Sequence, residues 1–281
     1  MINSRGTPVE YRDSIILMIM RKMLLIAVCC SAVQGALAES INVAVAANFV
    51  STFKLLAADF EVSSGHTLKI SSGSSGRFYA QIKNGAPFYV FFSADQSTPQ
   101  RLEAEGLVVA GSRLTYAVGA LALWSANPRL VVDGVLDGAQ VLHGGDFNKL
   151  ALANPRLAPY GVAALEVLTA LGLREANRNK WVQGENIAQT YQFVSTGNAD
   201  VGFVALSQVS QISKLSQTRE AEAVRGAAWL VPAELYQPIM QDAVLLRRGE
   251  TSQAAHALLR YVRGAEARVI IEANGYRWPA P

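Results

Sequence analysis

Ser71-Ser72-Gly73-Ser74-Ser75-Gly76 stands between the apolar run Thr67-Leu68-Lys69-Ile70 and a segment with Phe78, Gln81 and Ile82 at helical spacing. The first run is β-branched and apolar and predicts a strand. The second predicts a helix opening near Ser75. A strand that ends in small hydroxyl residues and glycine, then feeds a helix start, leaves backbone N–H groups unpaired. It also adds hydroxyl donors and places the positive end of the helix dipole beside them. Such a junction suits an oxyanion without any lysine or arginine. Taken alone it reads first as a solvated turn, so the rest of the chain has to decide.

Working outward, the same design recurs. Ile41-Asn42-Val43-Ala44-Val45-Ala46 is apolar enough for a buried parallel strand. Asn48 stands at the expected N-cap of a helix carrying Phe49, Phe53, Leu56, Ala57 and Phe60 on one face. After the Ser/Gly stretch, Tyr89-Val90-Phe91-Phe92 predicts a third strand and Thr98 to Glu105 a helix. Strands alternating with helices predict a parallel sheet covered on both faces, with ligands beyond the carboxyl ends of the strands. Arg113 to Trp124 is a long apolar extended run, suited to carrying the chain into a second lobe.

The second half repeats the alternation. Leu150-Ala151-Leu152-Ala153 predicts a strand. Ala158-Pro159-Tyr160-Gly161 leads into a helix faced by Ala164, Leu165, Leu168 and Leu171. Asn186-Ile187 opens another helix, with Ile187, Tyr191 and Val194 in line and Gly197 as its stop. Val201 to Val204 predicts a strand. Trp229 to Leu246 is extended, interrupted by Pro232 and Pro238, and fits a return crossing. Ala255, Leu258, Leu259 and Val262 mark a last helix. The fold class expected is α/β, two doubly wound lobes joined by a two-stranded hinge. The first lobe takes residues 39–117 and 232–281, the second 118–231.

The first residues read as a targeting segment. Arg21-Lys22 precedes the apolar run Met23 to Cys30, and Ala36-Leu37-Ala38 supplies small residues for cleavage after Ala38. Residues 1–38 are thus a secretory signal peptide, with Met18, Met20 or Met23 as alternative true starts. The apolar run is too short for a membrane span. Both cysteines, Cys29 and Cys30, fall inside it, so a chain beginning at Glu39 has no thiol and relies on its core. The full chain of 281 residues has a formal net charge of +3. Without Arg5, Glu10, Arg12, Asp13, Arg21 and Lys22 the balance is about +1, and no basic stripe suggests a nucleic-acid partner.

Chemistry is poorly served. His66, His143 and His256 fit no metal-ligand spacing and read as surface or loop residues. Gly73-Ser74-Ser75-Gly76 lacks the spacing of a nucleophile elbow, and no histidine stands out as a base. A secreted hydrolase using Ser74 or Ser75 is the remote alternative. No catalytic residue, cofactor or directly bound metal is expected. What remains is four polar helix starts, Ala47-Asn48, Ser74-Ser75, Tyr160-Gly161 and Ile187, two in each lobe. Facing each other, they would make a cleft of neutral donors for a dianion.

The stretches Ile41–Asn48, Ser71–Ile82, Gly85-Ala86-Pro87 with Val90-Phe91-Phe92-Ser93-Ala94-Asp95, and Val201–Val204 resemble the periplasmic molybdate-binding proteins of ABC importers. The resemblance covers nearly the whole chain after Ala38. It implies a type II periplasmic binding protein fold and a monomer that carries molybdate, or tungstate, through the periplasm to an inner-membrane permease. It places the oxyanion ligands on the Ala47 backbone, Asn48, the hydroxyl and N–H of Ser75, and the backbones of Tyr160 and Ile187. Two departures stand out. The tyrosine that many members carry after the Gly-Phe-Val strand is Ala205 here, and the Tyr160 hydroxyl is the candidate replacement. The Ala-Asp that commonly follows Gly-Ala-Pro is Phe88-Tyr89. The same fold binding sulfate or another tetrahedral oxyanion is the closest alternative. Molybdate and sulfate share charge and shape, so cavity size must separate them.

Overall fold

The computed structural model describes residues 38–132, 134–215 and 226–279. The signal-peptide reading, both cysteines and the alternative starts lie outside them.

The chain opens with β1 (Ser40–Ala46), α1 (Val50–Ser64), β2 (Thr67–Gly73), α2 (Ser75–Lys83), β3 (Val90–Phe92), α3 (Ser97–Ala104) and β4 (Leu114–Gly119). It continues through β5 (Leu121–Ser125), α4 (Gly138–Gly144), β6 (Leu150–Ala153), α5 (Pro159–Ala170), β7 (Trp181–Gly184), α6 (Ile187–Ser195), β8 (Val201–Ala205), α7 (Leu206–Leu215) and β9 (Ala227–Leu230). It ends with β10 (Ile239–Leu245), α8 (Gln253–Val262) and α9 (Ala265–Ala273). Two five-stranded sheets result, ordered β2-β1-β3-β10-β4 and β7-β6-β8-β5-β9. In each, four strands run in one direction and a single strand, β10 in the first sheet and β5 in the second, runs against them.

Alternation along β1 explains why both faces of the first sheet are covered. Ile41, Val43 and Val45 point into a core shared with Phe49, which stands just before α1, Phe53 and Phe60 of α1, and Leu258 of α8. Ala44 points the other way, into a core with Phe78 and Ile82 of α2. Burying each of Phe49 and Phe53 completely stabilises by about 1.5–3 kcal/mol. The second sheet is built alike, with Leu150, Leu152 and Phe203 against α5 on one side. Ala151 and Val204 lie against Val194 of α6 on the other. These are two α/β lobes.

The strands β4 and β5 lie in different sheets with only Ala120 between them, and residues 231–238 make the return from β9 to β10.

Several local expectations are corrected. Ser71 to Gly73 is not turn but the end of β2, held by parallel pairing that continues to Ala46↔Gly73. Ser74 alone joins strand to helix. Asn48 is not an N-cap: Phe49 occupies that position, without a side-chain cap. The helix around Leu258 is not the last. α9 follows, and Arg277 then exchanges backbone hydrogen bonds with Val118 of β4. His66 is a loop residue but buried, its Nδ1 accepting the Glu39 N–H at 3.1 Å.

Candidate functional site

The carboxyl ends of β1 and β2 in one lobe, and of β6 and β7 in the other, deliver four junctions to one small cavity. Its walls are Ala46, Ala47 and Asn48, then Gly73, Ser74 and Ser75, with Ala94 alongside. Ala158, Pro159 and Tyr160, with Asn186 and Ile187, close it from the second lobe. All five residues expected from sequence, Ala47, Asn48, Ser75, Tyr160 and Ile187, are there. No carboxylate, lysine, arginine or histidine is.

Each junction offers a backbone donor for a local reason. Ser75 and Ile187 are the first residues of α2 and α6, and Tyr160 follows Pro159, the first residue of α5. A helix start has no intrahelical acceptor for these N–H groups, and among the described residues no other acceptor takes them or that of Asn48. Proline suits the first helical position because its missing N–H is not needed there. Asn186 caps α6 through its side chain, which accepts the Gln189 N–H at 3.0 Å. Ala47 differs: its N–H donates to the Gly73 carbonyl at 2.9 Å. The backbone donor expected at Ala47 is therefore engaged by the sheet, and Ala47 serves as wall.

The Asn48 side chain also departs from expectation. Its Nδ2 donates to Gln241 Oε1 at 2.9 Å and to Tyr276 Oη at 3.2 Å, which engages both of its hydrogens. Tyr276 Oη in turn donates to the Asn48 carbonyl at 2.7 Å. Ser207 Oγ of the second lobe donates to that carbonyl at 3.1 Å. The Nδ2 end of the carboxamide therefore anchors a buried network, and the Asn48 N–H is a free donor.

The hydroxyls are arranged with direction. Ser75 Oγ accepts the Ala94 N–H at 2.9 Å, and Tyr160 Oη accepts Gln241 Nε2 at 3.3 Å. Ser74 Oγ is buried and has no hydrogen-bond partner among the described residues. Burial pushes the Tyr160, Tyr116 and Tyr276 phenols up, so all three keep their protons at neutral pH. Just outside the cavity, Asp242 pairs with Arg113 at 2.8 Å and accepts from Thr115 at 2.7 Å. Asp95 accepts the Thr98 N–H at 2.8 Å. Both carboxylates thus have their own donors. Among the described residues no cluster of His, Cys, Asp or Glu could hold a metal ion.

The lobes touch around the cavity. The Gly76 N–H donates to the Leu157 carbonyl at 3.0 Å, and Arg77 pairs with Glu185 at the rim. Asn48, Ser75, Tyr160 and Ile187 are only 3%, 1%, 1% and 3% exposed. An ion reaches these donors only if the lobes first separate, so the structure is a closed one.

Sequence reasoning missed Gln241, Tyr276, Tyr116 and Ser207. One signal was available, since Gln241-Asp242 interrupts the apolar run Ile239 to Leu246. Both residues are fully buried, where a polar group needs partners. The pairing of β10 with β4 slips at this point, with Gln241 opposite Ala117 and Asp242 opposite Thr115. Such irregularities re-aim side chains. Of the two departures, Ala205 is buried in the core beside Tyr160. Phe88 packs edge-on against Phe78, its ring centre 5.4 Å away, and so steadies α2.

Three comparisons bear on this geometry. A family model described as bacterial extracellular solute-binding protein matches residues 41–277. The molybdate-binding protein ModA of Azotobacter vinelandii is 52% identical over 242 residues, which cover 86% of this chain and 91% of that protein. ModA of Rhodobacter capsulatus is 47% identical over 241 residues, covering 86% and 89%. Among solved structures, the periplasmic molybdate-binding protein of Azotobacter vinelandii matches with a TM-score of 0.74 at 41% identity. That match covers 85% of this chain and 100% of the other.

Proposed function

The chain belongs to the bacterial extracellular solute-binding proteins, and from that membership we propose that it captures molybdate, or tungstate, and hands it to an ABC permease. The lobes that close on the ion meet at Ala120 and at residues 231–238, a few residues from the boundaries 117/118 and 231/232 expected from the sequence. The protein is not an enzyme, and the metal never meets a protein ligand directly, being held through its oxygens.

One observation carries the reading: helix-start donors of both lobes converge on a cavity without carboxylates. Molybdate at neutral pH only accepts hydrogen bonds, and every group identified here as free can donate. Hydrogen bonds to a charged partner contribute roughly 1.5–3 kcal/mol each. About six of them, less the costs of association and closure, give a Kd between nanomolar and micromolar. The four backbone donors are Asn48, Ser75, Tyr160 and Ile187, and the hydroxyls are those of Ser75 and Tyr160. Cleavage after Ala38 would release a monomer into the periplasm.

Titration calorimetry with molybdate, tungstate, sulfate and phosphate tests this. Molybdate and tungstate should bind most tightly. Tight phosphate binding with no response to molybdate would overturn the reading, and a preference for sulfate would move the ligand within the same class.

A further inference from the structure

Gln241 lies behind the cavity wall, not in it, yet it decides what the wall presents. Its Oε1 accepts from Asn48 Nδ2 at 2.9 Å, and Tyr116 Oη lies 2.9 Å both from that oxygen and from the Ser93 carbonyl. Asn48 Nδ2 is itself oriented by Tyr276, whose proton goes to the Asn48 carbonyl, a group that can only accept. With Oε1 so engaged, Nε2 must face Tyr160 and donate to its Oη. Among the described residues the Tyr160 proton then has no acceptor, and it is left for whatever occupies the cavity. Ser75 is set the same way by the Ala94 N–H. The slip of β10 against β4 at Gln241 and Asp242 holds the carboxamide in place. Gly119 leaves it room, since a Cβ there would lie 2.2 Å from Tyr160 Oη and 2.5 Å from Gln241 Nε2.

We propose that Gln241 is a positioning residue for anion selection: by donating to Tyr160 Oη it fixes that hydroxyl as a donor and so rejects oxyanions that carry a proton. The inference rests on the oxyanion reading of the cavity and extends it. Hydrogenphosphate needs one acceptor for its proton, and a Tyr160 hydroxyl free to turn would supply it. Sulfate has nearly the same size and charge and no proton, so the phosphate-to-sulfate affinity ratio isolates this effect from cavity size. Ser74 is the one wall hydroxyl without such a fixed direction, and residual phosphate binding runs through it.

The test is calorimetry with molybdate, sulfate and phosphate at mildly alkaline pH, where phosphate is mainly the monohydrogen dianion. Glutamate in Gln241→Glu still accepts from Asn48, but its second oxygen takes the Tyr160 proton and turns a lone pair into the cavity. The phosphate-to-sulfate ratio should rise about tenfold or more, the size of one hydrogen bond to a charged partner. Gln241→Met, which frees the hydroxyl without adding charge, should raise it in the same direction. Both rises should vanish in the Tyr160→Phe background. A ratio within about twofold of wild type in both variants, with sulfate still bound, overturns the inference, as does a rise that survives Tyr160→Phe. If wild-type protein binds none of the three anions, the oxyanion reading itself fails, which the wild-type titrations reveal before any variant is made.

Discussion

Gly76→Ala separates closing from folding. Gly76 is the second residue of α2, and its N–H reaches across to the Leu157 carbonyl at 3.0 Å. A Cβ there would sit 3.1 Å from Leu157 Cα, 3.2 Å from its carbonyl oxygen and 3.4 Å from the Arg156 oxygen. All three are backbone atoms of the facing lobe and cannot rotate away. The lobes must part by a few tenths of an ångström, which stretches the hydrogen bond and lifts the second-lobe donors off the ion. Overpacking of this kind costs about 1–3 kcal/mol, equivalent to about a 5- to 150-fold loss of affinity. With the lobes apart these three contacts are gone, and alanine in place of glycine in a helix gains up to about 1 kcal/mol. Calorimetry should therefore show a raised Kd for molybdate, while the melting temperature of ligand-free protein stays level or rises. An unchanged Kd, or a ligand-free melting temperature that falls in proportion to the lost affinity, would refute the reasoning.

Three further outcomes follow from the same geometry. Asn48→Ala removes two donors from the network of Gln241 and Tyr276, and should lower stability to denaturant by about 1–3 kcal/mol even without ligand. An effect confined to binding would contradict the assignment of that side chain to the network. Burial holds the Asp95 carboxyl above its ordinary value of 3.8, so the folded chain binds this proton more tightly than the unfolded chain. Stability is therefore lost as pH rises from about 3.8 through the raised value, and the deficit stays constant above it. Asp95→Asn should raise the melting temperature near pH 7 and leave it unchanged near pH 3, and equal shifts at both pH values would refute this. Arg77→Ala breaks an ion pair whose partners are both more than half exposed. Molybdate affinity should change by less than about 1 kcal/mol, and a larger loss in calorimetry would show that the rim contact governs closure.

The parts of this molecule legible in the sequence are those governed by short-range patterning. The apolar runs of β1, β6 and β8 and the faces of α1, α5 and α6 follow from alternation and helical spacing. So do the helix starts at Ser75 and Ile187. Wherever the decisive partner is distant in the chain, the reading falls short. Ser71–Gly73 looks like turn by composition, yet pairing with β1, some 27 residues earlier, draws it into the sheet. Asn48 looks like a cap, but Gln241 and Tyr276, 193 and 228 residues away, engage its side chain. Ala47 looks like a donor until the Gly73 carbonyl takes its N–H. Gln241 was visible only as a polar interruption in an apolar strand, and nothing local says which hydroxyl it faces.

The two lobes are tied at one edge by Ala120 alone, between Gly119 and Leu121. Consecutive Cα atoms are about 3.8 Å apart, so that edge cannot gap by more than about 7 Å however far the lobes part. Sliding is ruled out, and what is left is a swing about a pivot, like a jaw. Displacement then grows with distance from Ala120, so Gly119, its neighbour in the chain, barely shifts while the contact between Arg77 and Glu185 at the rim parts. A released ion leaves past that rim, and a permease that receives it must meet the protein on that side.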